Sequence, residues 1–323
     1  MLSEDEAVEL LLDRTGSTDR GAAVALAREL DGLPLALAQV AGHCEQTGLS
    51  LAEYLDAYRR RHQELLAKGQ PVDYPATVAT TWQLSVDKLA GRSPTAVQLL
   101  HLAAFLAPEG IPLSLLAADP QQLPEELAAA VQDEATLEET VGALVGLSLV
   151  ARERGGLRLH RLVQAATRAS LTADQAAHWA KRAVRLVKAA FPTSADDPQS
   201  WPQAAGLLVH ALTAADHADT RQTAPDTTGA LLNQVGLYLE CRGEFTAGRE
   251  QLERALRLKE AAYGPDHPGV AITVGSLGSV LRELGELSAA REQLERAVGI
   301  CHRTRGSEHP DTRWAQRQLD DLP

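Results

Sequence analysis

The chain has 323 residues, of which 45% are hydrophobic and only 4% aromatic, so its cores depend on Leu, Ala and Val. Ala and Leu favour helices, and a formal net charge of −12 argues against general nucleic-acid binding. The three cysteines are widely spaced, no signal-peptide layout is present, and no apolar run reaches the roughly 18 residues that span a bilayer. Composition therefore predicts a mainly α, cytoplasmic protein with no membrane partner, for which nucleic acid is an unfavoured partner.

Four short amphipathic helices are predicted in residues 1–70. Ser3 and Glu6 have the spacing of a capping box at the start of the first helix. Gly32 follows the second helix and Pro34 opens the third, which is the favoured placement of these two residues. The pattern predicts a small helical bundle, with helices at 3–14, 19–30, 34–46 and 50–68.

A second domain is predicted over residues 71–172, after a linker at 70–75. Its two strands, 149–153 and 157–160, flank a Gly-Gly turn and form a small β-hairpin. Helices are predicted around the hairpin at 77–89, 94–106, 114–117, 134–146 and 161–171, and the segment with Pro120 and Pro124 is predicted as a loop. Helices followed by one hairpin are typical of a winged helix.

Residues 173–225 are predicted to bridge this domain to the last one. A helical pair at 176–190 and 202–218 precedes a polar linker at 220–228. The pair is expected to cap one end of the structure that follows.

Residues 226–323 contain an internal repeat with a period of 42 residues. The segment 249–255 recurs at 291–297, and the segment 264–268 recurs at 306–310. Each unit is predicted to be two amphipathic helices, so the units stack as an α-solenoid. The arginines at 249, 254, 291 and 296 are predicted to form ion pairs on the outer helices with Glu250, Glu253, Glu292 and Glu295.

The chain lacks the residue patterns of the common catalytic sites. No Gly-x-x-x-x-Gly-Lys-Ser/Thr sequence is present, and none of the five lysines follows a glycine. The histidines and cysteines have no partners at metal-ligand spacing, and no nucleophile is paired with a base. These observations predict no catalytic residues, no metal site and no enzyme activity for this chain alone.

Two segments carry a resemblance to a known family. Gly32-Leu33-Pro34-Leu35 resembles the GLPL motif of the NB-ARC ATPases, which belong to the STAND class of signalling switches. The segment from Tyr74 to Pro112 resembles the winged helix of bacterial members that carry C-terminal repeats, and the 42-residue period resembles the kinesin-light-chain type of tetratricopeptide repeat (TPR). The resemblance implies an ARC-like helical subdomain, a winged helix and TPR units, with Pro34 against a bound nucleotide.

His160 is the second residue that the resemblance implicates. In the family a Met-His-Asp motif at this place puts a histidine on the β-phosphate of ADP, and Leu159-His160-Arg161 keeps the histidine but replaces the acid with arginine. The residues alone favour a simpler interpretation, in which His160 ends a strand and caps the next helix.

The leading hypothesis is the regulatory and sensor part of a bacterial STAND-type NTPase, separated from its P-loop domain. No cofactor is then bound by this chain alone, and ADP or ATP is bound with the missing nucleotide-binding domain, which is one expected partner. The repeats are expected to bind a protein or peptide in their groove, with Asn233, Gln234 and Ser276 as the candidate contacts.

Two alternatives remain open from the sequence. The first is a free-standing TPR scaffold whose front half is structural only. The second is a winged-helix transcriptional regulator with a TPR effector domain, because five arginines cluster near the wing: Arg152, Arg154, Arg158, Arg161 and Arg168. The same arginines suit an acidic partner domain or a nucleotide.

Overall fold

A computed structural model describes the backbone of residues 1–67 and 76–322 and the side chains of residues 1–62 and 80–322. The chain divides into two compact units, Met1–Ala176 and Ala177–Pro323. The predicted linker at 70–75 lies outside the described residues, and the predicted boundaries at 70, 172 and 225 stay predictions. The mainly α fold class is confirmed.

The first unit begins with four helices that share one core. Ser3 caps the first of them, and both hydrogen bonds of the predicted capping box with Glu6 are present. Leu11, Leu26 and Leu37 come from three of these helices and are fully buried in the common core. The helices are α1 (Glu4–Thr15), α2 (Arg20–Glu29), α3 (Pro34–Thr47) and α4 (Leu51–Ala67).

The turn between α2 and α3 requires glycine. Gly32 has a positive φ of 61°, and a Cβ atom there would lie 2.4 Å from the backbone oxygen of Leu2. The Leu2 amide donates a hydrogen bond of 2.9 Å to the Gly32 carbonyl, which holds the start of the chain against the turn. This close approach fixes the position of Pro34, the first residue of α3.

The rest of the first unit surrounds a three-stranded sheet. The predicted hairpin is present as β2 (Ala151–Glu153) and β3 (Gly156–Arg158), and β3 also pairs with a short strand, β1 (Ile111–Pro112). The prediction of two strands was therefore incomplete, because a two-residue strand has no periodicity that a sequence pattern can reveal. The helices are α5 (Ala76–Arg92), α6 (Pro94–Ala103), α7 (Glu125–Gln132), α8 (Glu134–Gly146) and α9 (Arg161–Ser170), of which α7 was not predicted.

Helix α10 (Ala173–Ala190) runs across the boundary, and the second unit continues as helical hairpins. The predicted linker at 220–228 was too long, because α12 already begins at Pro225 after a short turn with positive φ at Gln222 and Ala224. The further helices are α11 (Trp201–Thr220), α12 (Pro225–Cys241), α13 (Phe245–Tyr263), α14 (Pro268–Glu283), α15 (Leu287–Arg305) and α16 (Pro310–Asp320).

The 42-residue period is visible in how the two helices of each hairpin approach. A Cβ atom on Gly236 of α12 would lie 2.6 Å from Cγ of Leu252 on α13. A Cβ atom on Gly278 of α14 would lie 2.7 Å from Cγ of Leu294 on α15. Equivalent leucines thus pack directly on equivalent glycines, so each hairpin closes in the same way.

The ion pairs of the outer helices differ from the prediction. Only the pair of Arg249 with Glu253, at 2.7 Å, has the predicted partner. Arg254 instead contacts Asp216 at 2.5 Å and Asp219 at 3.0 Å, both on α11. Its counterpart one repeat later, Arg296, contacts Glu260 on α13. Arg254 and Arg296 therefore join an outer helix to the one before it, whereas Arg249 pairs within its own helix and also contacts Glu286 at 2.8 Å.

Replacing Arg254 with alanine is expected to lower the free energy of unfolding of the second unit by about 1 kcal/mol. The side chain of Arg254 is only 18% exposed and serves two carboxylates, so its loss leaves both acids of α11 unpaired. Urea unfolding measures the change. Arg291→Ala is the control, because Arg291 is exposed and has no ion pair among the described residues; equal losses in both variants would contradict the prediction.

Candidate functional site

A cleft of about 830 Å³ in the first unit contains one of the two residues that the sequence analysis singled out for nucleotide contact. We call it the His160 cleft. His160 and Leu35 both line it, and Leu35 directly follows Pro34 at the start of α3. Pro34 is exposed at the adjacent position and does not belong to the lining. The fold therefore brings the Gly-Leu-Pro-Leu turn and the histidine, which are far apart in sequence, to one surface.

The position of His160 is fixed from both sides. The preceding residue, Leu159, is fully buried, and its amide donates a 2.7 Å hydrogen bond to the Pro108 carbonyl. His160 itself is the N-cap of α9, and its Nδ1 accepts a hydrogen bond of 3.2 Å from the Leu162 amide. The capping role expected from the residues alone is thus present.

This cap also decides which ring nitrogen carries the proton. An Nδ1 atom that accepts a hydrogen bond is unprotonated, so the neutral imidazole holds its proton on Nε2. Partial burial and the charges of Arg161 and Arg158 lower the pKa of His160, which favours the neutral form. His160 therefore offers an Nε2–H donor, and the cap does not compete with a ligand for that atom.

The same cap occurs at two histidines of the second unit. Nδ1 of His267 accepts from the Gly269 amide at 3.0 Å, and Nδ1 of His309 accepts from the Asp311 amide at 3.2 Å. Both residues precede a proline that opens a helix. They provide matched controls for any role of His160 beyond capping.

The charged residues that line the His160 cleft are mainly basic. Arg152, Arg158 and Arg161 line it together with one carboxylate, Glu109. Arg152 is paired with Glu138, and Arg158 is paired with Glu153 at 3.2 Å. Arg161 is exposed and forms no ion pair within the described part of the chain. It is therefore the cation most available to an anion beside His160.

Of the other arginines near the wing, Arg154 is not part of the lining, and Arg168 donates to the Ala104 carbonyl at 2.5 Å. Arg168 thus has a structural contact and does not face the cleft.

Apolar residues also line the His160 cleft. Val145, Leu149 and Val150 contribute to this lining, and Val145 is 36% exposed, unusual for a large apolar side chain. Ser148 at the same rim has a positive φ of 54°, which the sequence did not suggest because serine rarely adopts it. A cleft lined by both apolar and basic residues suits a ligand that has an apolar part and an anionic part.

The candidate partner-binding residues lie on the inner helices of the second unit. Ser276 on α14 lines a groove of about 530 Å³, whereas Asn233 and Gln234 on α12 do not line it. Asn233 Oδ1 and Gln234 Oε1 are buried, and each has no hydrogen-bond partner among the described residues. The Ser276 hydroxyl donates to the Ile272 carbonyl at 3.0 Å.

Two negative findings concern the described residues only. They contain no group of three or more His, Cys, Asp or Glu side chains placed to hold a metal ion. No helix in the same part of the chain combines the length and apolarity that crossing a membrane requires.

Comparison with known proteins supports the repeat and the family resemblance to different extents. The tetratricopeptide repeat family matches residues 227–301, so the 42-residue repeat of the second unit is a tetratricopeptide repeat. A domain of unknown function (DUF7779) matches residues 87–176, which includes the sheet, His160 and α9.

One curated relative extends over most of the chain. A nucleotide-binding leucine-rich repeat (NLR)-like protein of Hyaloscypha variabilis is 25% identical over 266 residues, which covers 78% of this chain and 25% of the relative. The chain thus spans about a quarter of the length of this relative. The fold and the comparisons define a mainly α protein with tetratricopeptide repeats that is similar to an NLR-like protein.

Proposed function

We propose that this chain is a regulatory part of a STAND- or NLR-type switch whose first unit supplies one wall of an adenine-nucleotide site. The observation that carries the proposal is the meeting of the Gly-Leu-Pro-Leu turn, through Leu35, and His160 in one cleft that is lined by both apolar and basic residues. The similarity to an NLR-like protein supports the same class. The phosphate-binding loop is absent from the sequence and is expected on a separate nucleotide-binding domain.

In this proposal the apolar and the polar residues of the His160 cleft have separate tasks. The apolar residues bind the base and sugar, with Pro34 contacting the nucleotide from beside the cleft, while His160 Nε2–H donates to a phosphate oxygen. Arg161 adds a charge-assisted contact where the family carries an acid, so the lock on the diphosphate depends on a cation here. A nucleotide changes the state of the switch only if it binds one conformation better than the other.

The repeats have the recognition task. Tetratricopeptide units stack into a concave surface that binds a protein segment, and Ser276 lies in such a groove here. A protein partner that binds the repeats more tightly in one state biases the switch toward that state.

The test of the nucleotide proposal combines the full chain and ADP with a separate nucleotide-binding domain that supplies the phosphate-binding loop. His160→Asn keeps an N-cap, because the Asn side-chain oxygen accepts from the helix amides, but it removes the Nε2–H donor. We expect ADP to shift the His160 imidazole signals in ¹H–¹⁵N NMR and to bind at least about 5-fold more weakly to His160→Asn, since one charge-assisted hydrogen bond is lost.

Two controls make this test specific. His309→Asn changes the same kind of cap in the second unit and is expected to leave ADP binding unchanged. Adenosine, which lacks phosphates, is expected to bind parent and His160→Asn equally. If ADP does not bind, or binds both proteins equally, the nucleotide proposal is wrong and the scaffold alternative is favoured.

A further inference from the structure

The groove of the second unit has an apolar surface of its own. We call it the Glu240 groove; it lies among α12, α14, α16 and the segment that follows α10. Leu237, Ile272 and Trp314 supply its apolar side chains, and Ile272 is 39% exposed. Large apolar side chains that are exposed in a concave surface often mark a binding site.

The groove exists because the repeat changes side-chain size at fixed positions. Ser276 and Ser279 of α14 occupy the places that Gln234 and Leu237 occupy in the preceding unit, 42 residues earlier. The smaller side chains on α14 leave a cavity where the unit before it has larger ones. Sequence variation within the repeat therefore makes the groove differ from one unit to the next.

Trp314 is held at the wall of the groove by another small residue. A Cβ atom on Gly275 would lie 2.5 Å from Cζ3 of Trp314, so the indole packs on the α14 backbone. Its ring is half-buried in this position and lines the cavity. An indole fixed in this way is a rigid platform for a planar group.

The charges of the groove are all of one sign. Asp196, Glu240 and Asp311 line it, and no Lys, Arg or His among the described residues does. Asp311 is already paired with Arg305. Glu240 and Asp196 have no ion pair among the described residues, so two carboxylates remain for a ligand.

Glu240 is the carboxylate that is most clearly short of a cation. It is half-buried, and its Oε1 accepts a hydrogen bond of 2.5 Å from the Ser279 hydroxyl. Burial raises the pKa of Glu240, and the charge of Glu283 adds to this, whereas the Ser279 hydrogen bond and the charge of Arg282 oppose the rise without cancelling it. A cation bound in the groove would compensate this carboxylate for the hydration that it loses through burial.

We propose that the Glu240 groove binds an arginine side chain of an extended protein segment, with apolar neighbours of that arginine on Ile272 and Leu237. The inference deepens the proposed partner-binding function of the repeats and rests on it. A guanidinium pairs with a carboxylate through two hydrogen bonds and stacks on an indole, so Glu240 and Trp314 suit arginine better than lysine. The negative groove disfavours acidic segments and nucleic acid.

The test uses four synthetic peptides that differ at one position. The parent peptide is acetyl-Ala-Leu-Arg-Leu-Ala-amide, and the others carry lysine, citrulline or glutamate in place of the arginine. Affinity for the full chain is measured by titration calorimetry at low salt. We expect the arginine peptide to bind about 10-fold more tightly than the citrulline peptide and to bind more tightly than the lysine peptide, while the glutamate peptide does not bind.

Two variants locate the binding. Glu240→Gln keeps the size of the side chain and an acceptor for Ser279. It is expected to lower the affinity for the arginine peptide about 10-fold. Glu292→Gln removes a charge from the exposed face of α15 and is expected to change the affinity less than 2-fold. Thermal unfolding of both variants checks that they are folded.

The outcomes separate this inference from the proposed function. If the arginine and citrulline peptides bind equally, or Glu240→Gln has no effect, the arginine inference is overturned while peptide binding by the repeats stands. If no peptide binds, the inference is also overturned. Failure of ADP to bind would overturn the nucleotide proposal and leave this result unaffected.

Discussion

Lys259→Met is expected to stabilise the repeat unit by roughly 2 kcal/mol at pH 7. Lys259 lies on α13 and is 8% exposed, so its ammonium group is buried. Its Nζ donates to Thr273 Oγ1 at 2.8 Å and to the Gly269 carbonyl at 3.3 Å. Lys259 has no carboxylate partner among the described residues, and both acceptors are uncharged. The buried charge is therefore poorly compensated.

The magnitude follows from the pKa. Burial lowers the pKa of Lys259 from 10.5 to about 8, which corresponds to roughly 3 kcal/mol of destabilisation of the charged form. Methionine fills a similar volume without the charge but leaves the Thr273 hydroxyl without this partner, which costs about 1 kcal/mol. The equivalent position in the next repeat is Cys301, which is buried, so the fold accepts an uncharged side chain there.

The pH dependence gives a sharper test than the stability itself. Between pH 8 and 10.5 the unfolded chain binds a proton at Lys259 that the folded chain has released, so the stability of the parent rises with pH. The advantage of Lys259→Met should thus be largest at pH 7 and be lost as the pH approaches 10.5, where the missing Thr273 contact leaves the variant about 1 kcal/mol less stable than the parent. Urea unfolding of the two proteins across this range measures the difference.

A variant on the same helix controls for surface effects. Arg257→Met replaces an exposed cation of α13 and is expected to change the free energy of unfolding by less than about 0.5 kcal/mol. If Lys259→Met is less stable than the parent at pH 7, the hydrogen bonds of Lys259 outweigh its burial and the prediction is wrong. A gain that stays constant with pH would mean that its origin is packing rather than charge.

The features that the sequence predicted well are local ones. The capping box of Ser3 and Glu6, the glycine at 32 and the 42-residue period each depend on residues a few positions apart or on repetition. Such local patterns do not depend on contacts with distant parts of the chain. They sufficed for the helices, the hairpin and the repeat, and hence for the fold class.

The features that it predicted poorly depend on contacts between distant segments. Arg254 has glutamates nearby in its own helix, yet it reaches Asp216 and Asp219 on the helix before it. Strand β1 forms only because β3 offers a free edge. Local spacing favours pairs within one helix, but stacking of the outer helices brings other acids closer.

The candidate sites show the same division. The sequence indicated His160 and the turn at Pro34, but only the fold shows that Leu35 and other apolar residues line the same cleft. For the groove it indicated Ser276 and missed Glu240, because an exposed helix face and a buried carboxylate look alike in a sequence. Nucleotide contact by Pro34 and His160 stays a prediction.

Lowering the pH from 7 to 4 is expected to reduce the stability of the first unit by roughly 6 kcal/mol through two histidines, one buried and one half-buried. His43 on α3 is 5% exposed, lies edge-on to the Tyr54 ring at 5.1 Å, and has no hydrogen-bond partner at Nδ1 among the described residues. Burial and the charges of Lys88 and Arg92 lower the pKa of His43 to about 4. Burial alone lowers the pKa of His101 on α6 to about 4.

The direction in which stability changes with pH follows from the pH range in which the folded and the unfolded states take up protons. Both histidines have a pKa near 6.5 when unfolded and about 4 when folded, so between these values the unfolded chain binds more protons. The stability they contribute is complete above pH 6.5 and is lost as the pH falls to 4. Each histidine accounts for roughly 3 kcal/mol of this loss.

Hydrogen exchange measured by mass spectrometry at several pH values separates the two units. The double variant His43→Leu/His101→Leu is expected to remove most of the loss of protection in Met1–Ala176 between pH 6.5 and 4. Exposed carboxylates with lowered pKa, such as Glu6, also destabilise the folded state in acid, but the variant retains them and so serves as their control. If parent and variant lose protection in parallel, the neutral imidazoles are not the source of the acid sensitivity; if the single variants each remove about half, the two sites act independently, as their separate helices imply.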